Sequence, residues 1–320
     1  MSPNQEQIAQ YIYHKVNRFI KTHWATDHMV CIVKRKRGDK TYYYLQHGIR
    51  RDGRRQKEIY VGTAIPENIE EVKQEFLLEF YREDWLPKLE TIYNNHAKTK
   101  KKLPKSVIEK ELETFSINFT YNTQKIEGST LTHKETFDLL HDGISPRKPV
   151  QDTIEAREHQ NVFYEMLECK KDLSLEIACM WHKKLFEKTK KDIAGEIRDF
   201  EVRIQGSKFT PPLPQALSIL LKRFFKWYND NKAKLNPVEL AALVHLKFVT
   251  IHPFGDGNGR ISRLMMNFVL NKYGYPMLDI DYTDRRSYYN SLERANVKKN
   301  DIFFLQWFMK RYIKRYQELP

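Results

Sequence analysis

His252-Pro253-Phe254-Gly255-Asp256-Gly257-Asn258-Gly259-Arg260-Ile261-Ser262-Arg263 brings an imidazole, a carboxylate, three glycines, an amide and two guanidiniums into one short run. After it, Ile261, Leu264, Met265, Phe268 and Val269 recur at helical spacing, so the run is a loop that opens directly into a helix. Free backbone N–H groups and the dipole at such a helix start attract anions, and glycines let an anion come close. Arg260 and Arg263, three apart, share one face of the first turns. Asp256 is a natural hard-oxygen ligand for Mg²⁺, which binds through one or two carboxylates together with phosphates. His252 is then free to act as a base. Singly, each residue also has an ordinary reading as a loop histidine, a tight turn or a solvated arginine pair.

The twelve residues together resemble the Fic motif, His-x-Phe-x-Asp/Glu-Gly-Asn-Gly-Arg-x-x-Arg, with every fixed position present. The likeness extends over roughly residues 105–312. Leu240-Ala241-Ala242-Leu243-Val244-His245-Leu246 resembles the buried helix that feeds the motif, and Tyr273-Gly274-Tyr275-Pro276 its exit turn. Arg286-Ser287-Tyr288-Tyr289 and Ala295-Asn296 look like the segment that closes over a nucleotide base. The fold this implies is mainly α, a helical core with a short β-hairpin flap.

Proteins of this family mostly transfer AMP from ATP to a hydroxyl of a protein target. The resemblance implies His252 as general base toward a Ser, Thr or Tyr hydroxyl and Asp256 as the ligand of Mg²⁺. Gly257, Asn258 and Gly259 would line the phosphate site, Arg260 and Arg263 would bind the β- and γ-phosphates, and Tyr289 and Asn296 would contact the adenine or ribose. Thr123-Gln124-Lys125-Ile126-Glu127-Gly128 resembles the inhibitory motif Ser/Thr-x-x-x-Glu-Gly/Asn of the subclass with an autoinhibitory helix ahead of the core. Glu127 would pair with Arg263 and take the guanidinium meant for the γ-phosphate. In some relatives the same glutamate serves removal of AMP, and the residues do not choose between the two directions.

Asp199-Phe200-Glu201-Val202-Arg203-Ile204-Gln205-Gly206 alternates in character and leads to Pro211-Pro212, which predicts a short hairpin. Its position after Gly195-Glu196-Ile197-Arg198 resembles the Fic flap, where Val202, Arg203, Ile204, Gln205 and Gly206 would dock a target by strand addition.

Upstream, residues 5–24 read as a helix and residues 30–62 as three strands, with turns at Gly38-Asp39 and Asp52-Gly53. A long helical pattern runs from Pro66 to about His96. The basic run Lys98, Lys100, Lys101 and Lys102 before Pro104 reads as a linker. This predicts a basic N-terminal part over 1–65, a helical connector over 66–104 and a Fic domain over 105–320 whose inhibitory helix lies around 115–128.

The chain carries a formal net charge of +14. Residues 31–61 hold Lys34, Arg35, Lys36, Arg37, Lys40, Arg50, Arg51, Arg54, Arg55 and Lys57 against only Asp39, Asp52 and Glu58. With Tyr42, Tyr43 and Tyr44 interleaved, this sheet could track a phosphate backbone, or dock an acidic target, or simply stay soluble. No apolar run is long enough to span a membrane. Cys31, Cys169 and Cys179 are odd in number without metal-ligand spacing, which fits a reducing cytoplasm. A self-inhibited adenylyltransferase acting on a protein target, including itself, is the leading expectation. Its rivals are a Fic enzyme transferring another phosphate-containing group and a nucleic-acid-binding regulator with a vestigial core. A homodimer stays open.

Overall fold

The computed structural model describes residues 30–49 and 55–317. The helix expected over residues 5–24, the turn at Asp52-Gly53 and the basic residues Arg50, Arg51 and Arg54 lie outside the described residues. The chain divides into two compact units, Met1–Asp84 and Trp85–Pro320.

In the first unit, strands β1 (Cys31–Arg37), β2 (Lys40–Ile49) and β3 (Arg55–Gly62) form an antiparallel sheet in the order β1-β2-β3. Gly38 takes the left-handed backbone (φ 60°) that the tight β1–β2 turn requires. Side chains alternate across the pleat, so Leu45 and His47 point inward together and are fully buried. His47 packs edge-on to Phe80, ring centroids 4.7 Å apart. The opposite face carries Arg35, Tyr42, Tyr44 and Tyr60, in a register that pairs Arg35 with Tyr42 and Tyr44 with Tyr60. Tyr43 shares the inward side with Leu45, so the three consecutive tyrosines do not form one stripe.

Helix α1 (Ile69–Lys102) begins in the first unit and ends in the second. It continues through the basic run read above as a linker. Lys100, Lys101 and Lys102 form its last turn, where ammonium groups favour the negative end of the helix dipole.

The second unit is helical. Helices α2 (Lys105–Ile126), α3 (His133–Leu140), α4 (Val150–Glu168), α5 (Leu175–Phe186) and α6 (Pro214–Asn231) surround the pair α7 (Pro237–Ile251) and α8 (Asn258–Lys272). A short 3-10 turn (Tyr282–Asp284) leads into α9 (Arg285–Lys298) and the closing helix α10 (Ile302–Tyr316). Pro237 sits in the first turn of α7, where its missing N–H costs nothing, and the Asn236 carboxamide oxygen accepts from Val238 N at 2.9 Å. Thr132 and Glu135 close a reciprocal capping box on α3. Helix α7 is apolar nearly all round, and α8 buries Ile261, Leu264, Met265, Phe268 and Val269 at 3% exposure or less. Burying each such side chain stabilises by roughly 1.5–3 kcal/mol before ordering costs. Helices α2, α4 and α5 pack on α8, while α6 and α10 pack on α7. The loop between α7 and α8 is thereby held at both ends by the densest part of the core.

One expectation fails locally. Residues 199–213 contain no paired strands. The arms keep the alternation, with Val202 and Ile204 half-buried between exposed Glu201, Arg203 and Gln205, and Gly206 makes the turn at φ 77°. They are tied by a side chain instead of a ladder: Arg198 donates to Phe200 O at 2.8 Å and to Pro212 O at 2.6 Å. Pro211 and Pro212 have no N–H to donate, and Lys208 N donates to the Glu293 carboxylate at 2.8 Å. The hydrogen-bonding partners a hairpin needs are therefore missing or engaged elsewhere.

Candidate active site

Helix α7 stops at His252, which adopts the left-handed conformation (φ 53°, ψ 56°) ahead of Pro253. A non-glycine residue there carries roughly 1–2 kcal/mol of strain, maintained by its surroundings. Arg198 Nε donates to His252 O at 2.8 Å, and Arg198 N donates to Pro253 O at 3.0 Å. Val249 O lies 3.0 Å from His252 Nδ1. A carbonyl can only accept, so Nδ1 carries the proton and Nε2 keeps its lone pair. Burial lowers the imidazole's pKa, against the help of the Val249 hydrogen bond, and Arg198 adds to the lowering. The ring is thus neutral and basic at Nε2 around neutral pH.

The loop that follows is stapled from within. The Asn258 carboxamide accepts from Phe254 N at 2.9 Å and donates to Phe254 O at 2.8 Å. Both ends of this amide are engaged, so in this state it shapes the loop and does not face a phosphate as the motif implies. Phe254 is fully buried and stacks on His182 at 3.8 Å. His182 donates from Nε2 to Asp256 O at 3.0 Å and accepts from Gly195 N at 2.9 Å, which fixes its tautomer. Burial brings its pKa down to about 4. Gly257 takes φ 73°, and a Cβ on it would lie 2.3 Å from the Phe186 ring.

Asp256 is held as a carboxylate. Gly257 N donates to Oδ1 at 2.5 Å, Arg260 approaches Oδ1 at 3.2 Å and Lys190 Nζ lies 2.6 Å from Oδ2. Burial alone would raise its pKa, but Arg260 and Lys190 outweigh that and bring it to about 2. Arg260 is 3% exposed, pairs with Glu155 and Gln124 and lies over the Phe186 ring at 4.6 Å. In this state it serves Asp256 and Glu155 from below. The β-phosphate role that the resemblance implies for it would require it to turn outward.

Arg263, 1% exposed, sits at the centre of a second cluster. Its NH2 donates to Glu127 Oε1 at 2.5 Å and to Thr123 O at 3.3 Å, its Nε to Thr123 Oγ1 at 2.5 Å, and its NH1 to Tyr288 Oη at 3.3 Å. Burial opposes the charge, but the Glu127 carboxylate overrides it and the guanidinium's pKa is raised. Glu127 caps the C-terminus of α2, and Gly128 (φ 101°) turns the chain away. A Cβ on Gly259 would lie 2.3 Å from Glu127 Oε1. The carboxylate therefore rests against the first turn of α8, at the end of the dipole where an anion would bind. Tyr289 Oη donates to Ile126 O at 3.2 Å, so this residue touches the end of α2. Asn296 accepts from Thr250 Oγ1 at 2.7 Å, beside the end of α7.

The structure thus gathers Glu127, Thr123, Gly128, Arg263 and Tyr289 in one cluster and Asp256, Gly257, Asn258, Gly259 and Arg260 in the adjoining loop. Val202, Arg203, Ile204, Gln205 and Gly206 lie on the loop that Arg198 braces to His252. Sequence reading missed His182, Lys190, Glu155 and Arg198. Only Arg198 carried a signal, its place beside Gly195 ahead of the flap. Among the described residues no group of three His, Cys, Asp or Glu side chains could hold a metal. Asp256 alone suits an ion of the Mg²⁺ type, which completes its shell with phosphate oxygens and water.

Comparison with known proteins agrees with this geometry. Residues 172–270 match the Fic/DOC family. The chain is 32% identical to protein adenylyltransferase fic-1 of Caenorhabditis elegans, over 58% of this chain and 37% of that protein. It is 35% identical to protein adenylyltransferase Fic of Drosophila melanogaster, over 55% of this chain and 36% of that one. The chain spans a little over a third of the length of these curated relatives. Among solved structures, a Fic domain containing signaling protein from Bacteroides thetaiotaomicron matches at a TM-score of 0.65 and 27% identity, over 71% of this chain and 94% of that one. Fic-1 from C. elegans matches at 0.65 and 25%, over 78% and 77%. Residues 172–270, with the motif loop between α7 and α8 and its helical surround, are thus similar to the Fic/DOC family in sequence and to Fic proteins in fold.

Proposed function

We propose that this chain is a protein adenylyltransferase held at rest by its own helix α2. The observation that carries the proposal is the Glu127 carboxylate on Arg263 and against Gly259, at the anion-attracting start of α8, next to a neutral histidine. Once Glu127 leaves, Arg263 and the amides of Gly257, Asn258 and Gly259 would receive the terminal phosphates of ATP. A target Ser, Thr or Tyr oxygen then attacks the α-phosphorus. The new O–P bond forms as the bond from the α-phosphorus to the bridging oxygen breaks, pyrophosphate departs, and the hydroxyl proton passes to His252 Nε2. Asp256 would hold Mg²⁺, whose chemistry is to neutralise charge on the phosphate oxygens. Tyr289 and Asn296 would border the adenosine, and the 202–206 loop would present the target, with the domain spanning residues 105–320. Reversal, removing AMP with Glu127 ordering a water, uses the same groups.

ATP labelled at the α- or γ-phosphate tests this directly. Label transferred from the α-position only, and abolished by His252→Ala, is the expected result. Transfer from the γ-position would identify phosphoryl transfer instead and overturn the assignment.

A second reading concerns the first unit. Its outer sheet face places Arg35 4.7 Å over the Tyr44 ring and Tyr60, 55% exposed, within 5.4 Å of Tyr44. Arginine and aromatic groups on one exposed face suit nucleic acid. A gel shift of the full chain that weakens steeply with salt would support it, and no shift at low salt would remove it. Among the described residues no helix is long and apolar enough to cross a membrane. The three free cysteines support a cytoplasmic setting.

A further inference from the structure

Lys190 lies in the turn after α5, outside both motifs, yet its ammonium is in direct contact with Asp256. Its Nζ is 2.6 Å from Asp256 Oδ2 and 3.1 Å from Glu155 Oε1, and it sits 4.9 Å from the centre of the Phe186 ring. The two oxygens of Asp256 are not equivalent. Oδ1 is turned into the protein, taken by Gly257 N and faced by Arg260. Oδ2 is the one left for a ligand, and Lys190 covers it. Lys190 is 27% exposed and the Asp256 side chain 41%, so the pair lies at the mouth of the site, where a solvated ion can reach it.

We propose that Lys190 is a displaceable counter-ion that occupies the cation position at Asp256, so that a divalent ion loads there only by exchange with the ammonium. The inference rests on the reading of Asp256 as the metal-holding residue. Two like charges repel at contact distance and do not share one carboxylate oxygen, even where water partly screens them. Glu155 makes the exchange reversible. Its Oε1 keeps Lys190 when Asp256 lets go, while its Oε2 stays with Arg260. The ammonium therefore swings from two carboxylates to one and is never left unpaired. The resting site is charge-balanced without metal, and the phosphates that arrive with a divalent ion supply the negative charge that favours the exchange. Lys190 thus ties metal loading to nucleotide loading.

The test is the affinity of the full chain for Mn²⁺, read from loss of the free-ion paramagnetic resonance signal, in wild type, Lys190→Met, Lys190→Arg and Lys190→Met combined with Asp256→Asn. Removing the competing charge should tighten Mn²⁺ binding about tenfold in Lys190→Met, a conservative figure for opposed charges at this separation. Lys190→Arg, which keeps the charge, should bind as wild type does, and adding Asp256→Asn should abolish the gain. Equal affinity in wild type and Lys190→Met, or a gain that survives loss of the Asp256 carboxylate, would overturn the inference. Transfer of α-label by a Glu127→Gly chain is measured alongside. Its absence would sink the transferase reading while leaving the Mn²⁺ comparison intact.

Discussion

Glu127→Gly removes the carboxylate that joins α2 to Arg263 and leaves the guanidinium its contacts to Thr123 and Tyr288. Breaking a buried ion pair by deleting one partner typically costs about 3–5 kcal/mol. Arg263 is 1% exposed but the Glu127 side chain is 26% exposed, so the lower end applies, about 3 kcal/mol. Part of that energy holds the resting arrangement against the one that accepts a triphosphate. At about 1.4 kcal/mol per factor of ten, its loss raises productive ATP occupancy by up to roughly a hundredfold. The same change should lower the melting temperature of the free protein. ATP should restore much of that loss, since the orphaned guanidinium gains phosphate oxygens as partners. The assay is incorporation of α-labelled AMP over time, wild type beside variant, with thermal melts with and without ATP. Equal labelling of the two proteins would refute the reasoning, as would activation accompanied by no change in the melts.

Gly257→Ala should be severely destabilising, by more than about 2 kcal/mol, because the added methyl meets the Phe186 ring at 2.3 Å on a backbone at φ 73°; a wild-type denaturation midpoint would count against the packing described. Asp279 offers a pH test. Burial raises its carboxyl to about 7 despite the Asn122 hydrogen bond at 2.6 Å, so between pH 3.8 and 7 the native state holds a proton that the unfolded chain releases. Stability should therefore fall as pH rises through that window, by at most about 1.4 kcal/mol per pH unit from this group. Asp279→Asn should flatten that part of the profile in denaturant titrations, and an unchanged slope would discount the buried acid. For His252, a pKa lowered by burial below the ordinary 6.5 means transfer should fall to half its plateau only below pH 6.5; a half-maximal point above that pH would contradict a neutral, buried base.

Much of this was legible in the chain because it was local. The motif loop is twelve consecutive residues, and the helices on either side announce themselves by spacing. The three strands are likewise written in short-range patterns and turn residues. The 199–206 alternation was just as legible and still gave no hairpin. A ladder depends on where the backbone donors and acceptors go: Arg198 donates to the carbonyls of Phe200 and Pro212, and the Glu293 carboxylate accepts from Lys208 N.

The sequence by itself determined which groups are available: a histidine, a carboxylate and glycines at a helix start, and a glutamate at the end of an earlier helix. Only the tertiary structure decided which of them meet. Glu127 and Arg263 are far apart in the chain and 2.5 Å apart in the fold, and Lys190 reaches Asp256 from a turn with no motif at all. His182 and Glu155 are single residues without local pattern, so nothing short-range marks them. Their roles arise from the packing of α2, α4 and α5 on α8, which removes water from the charges and leaves each needing the partner that the fold supplies.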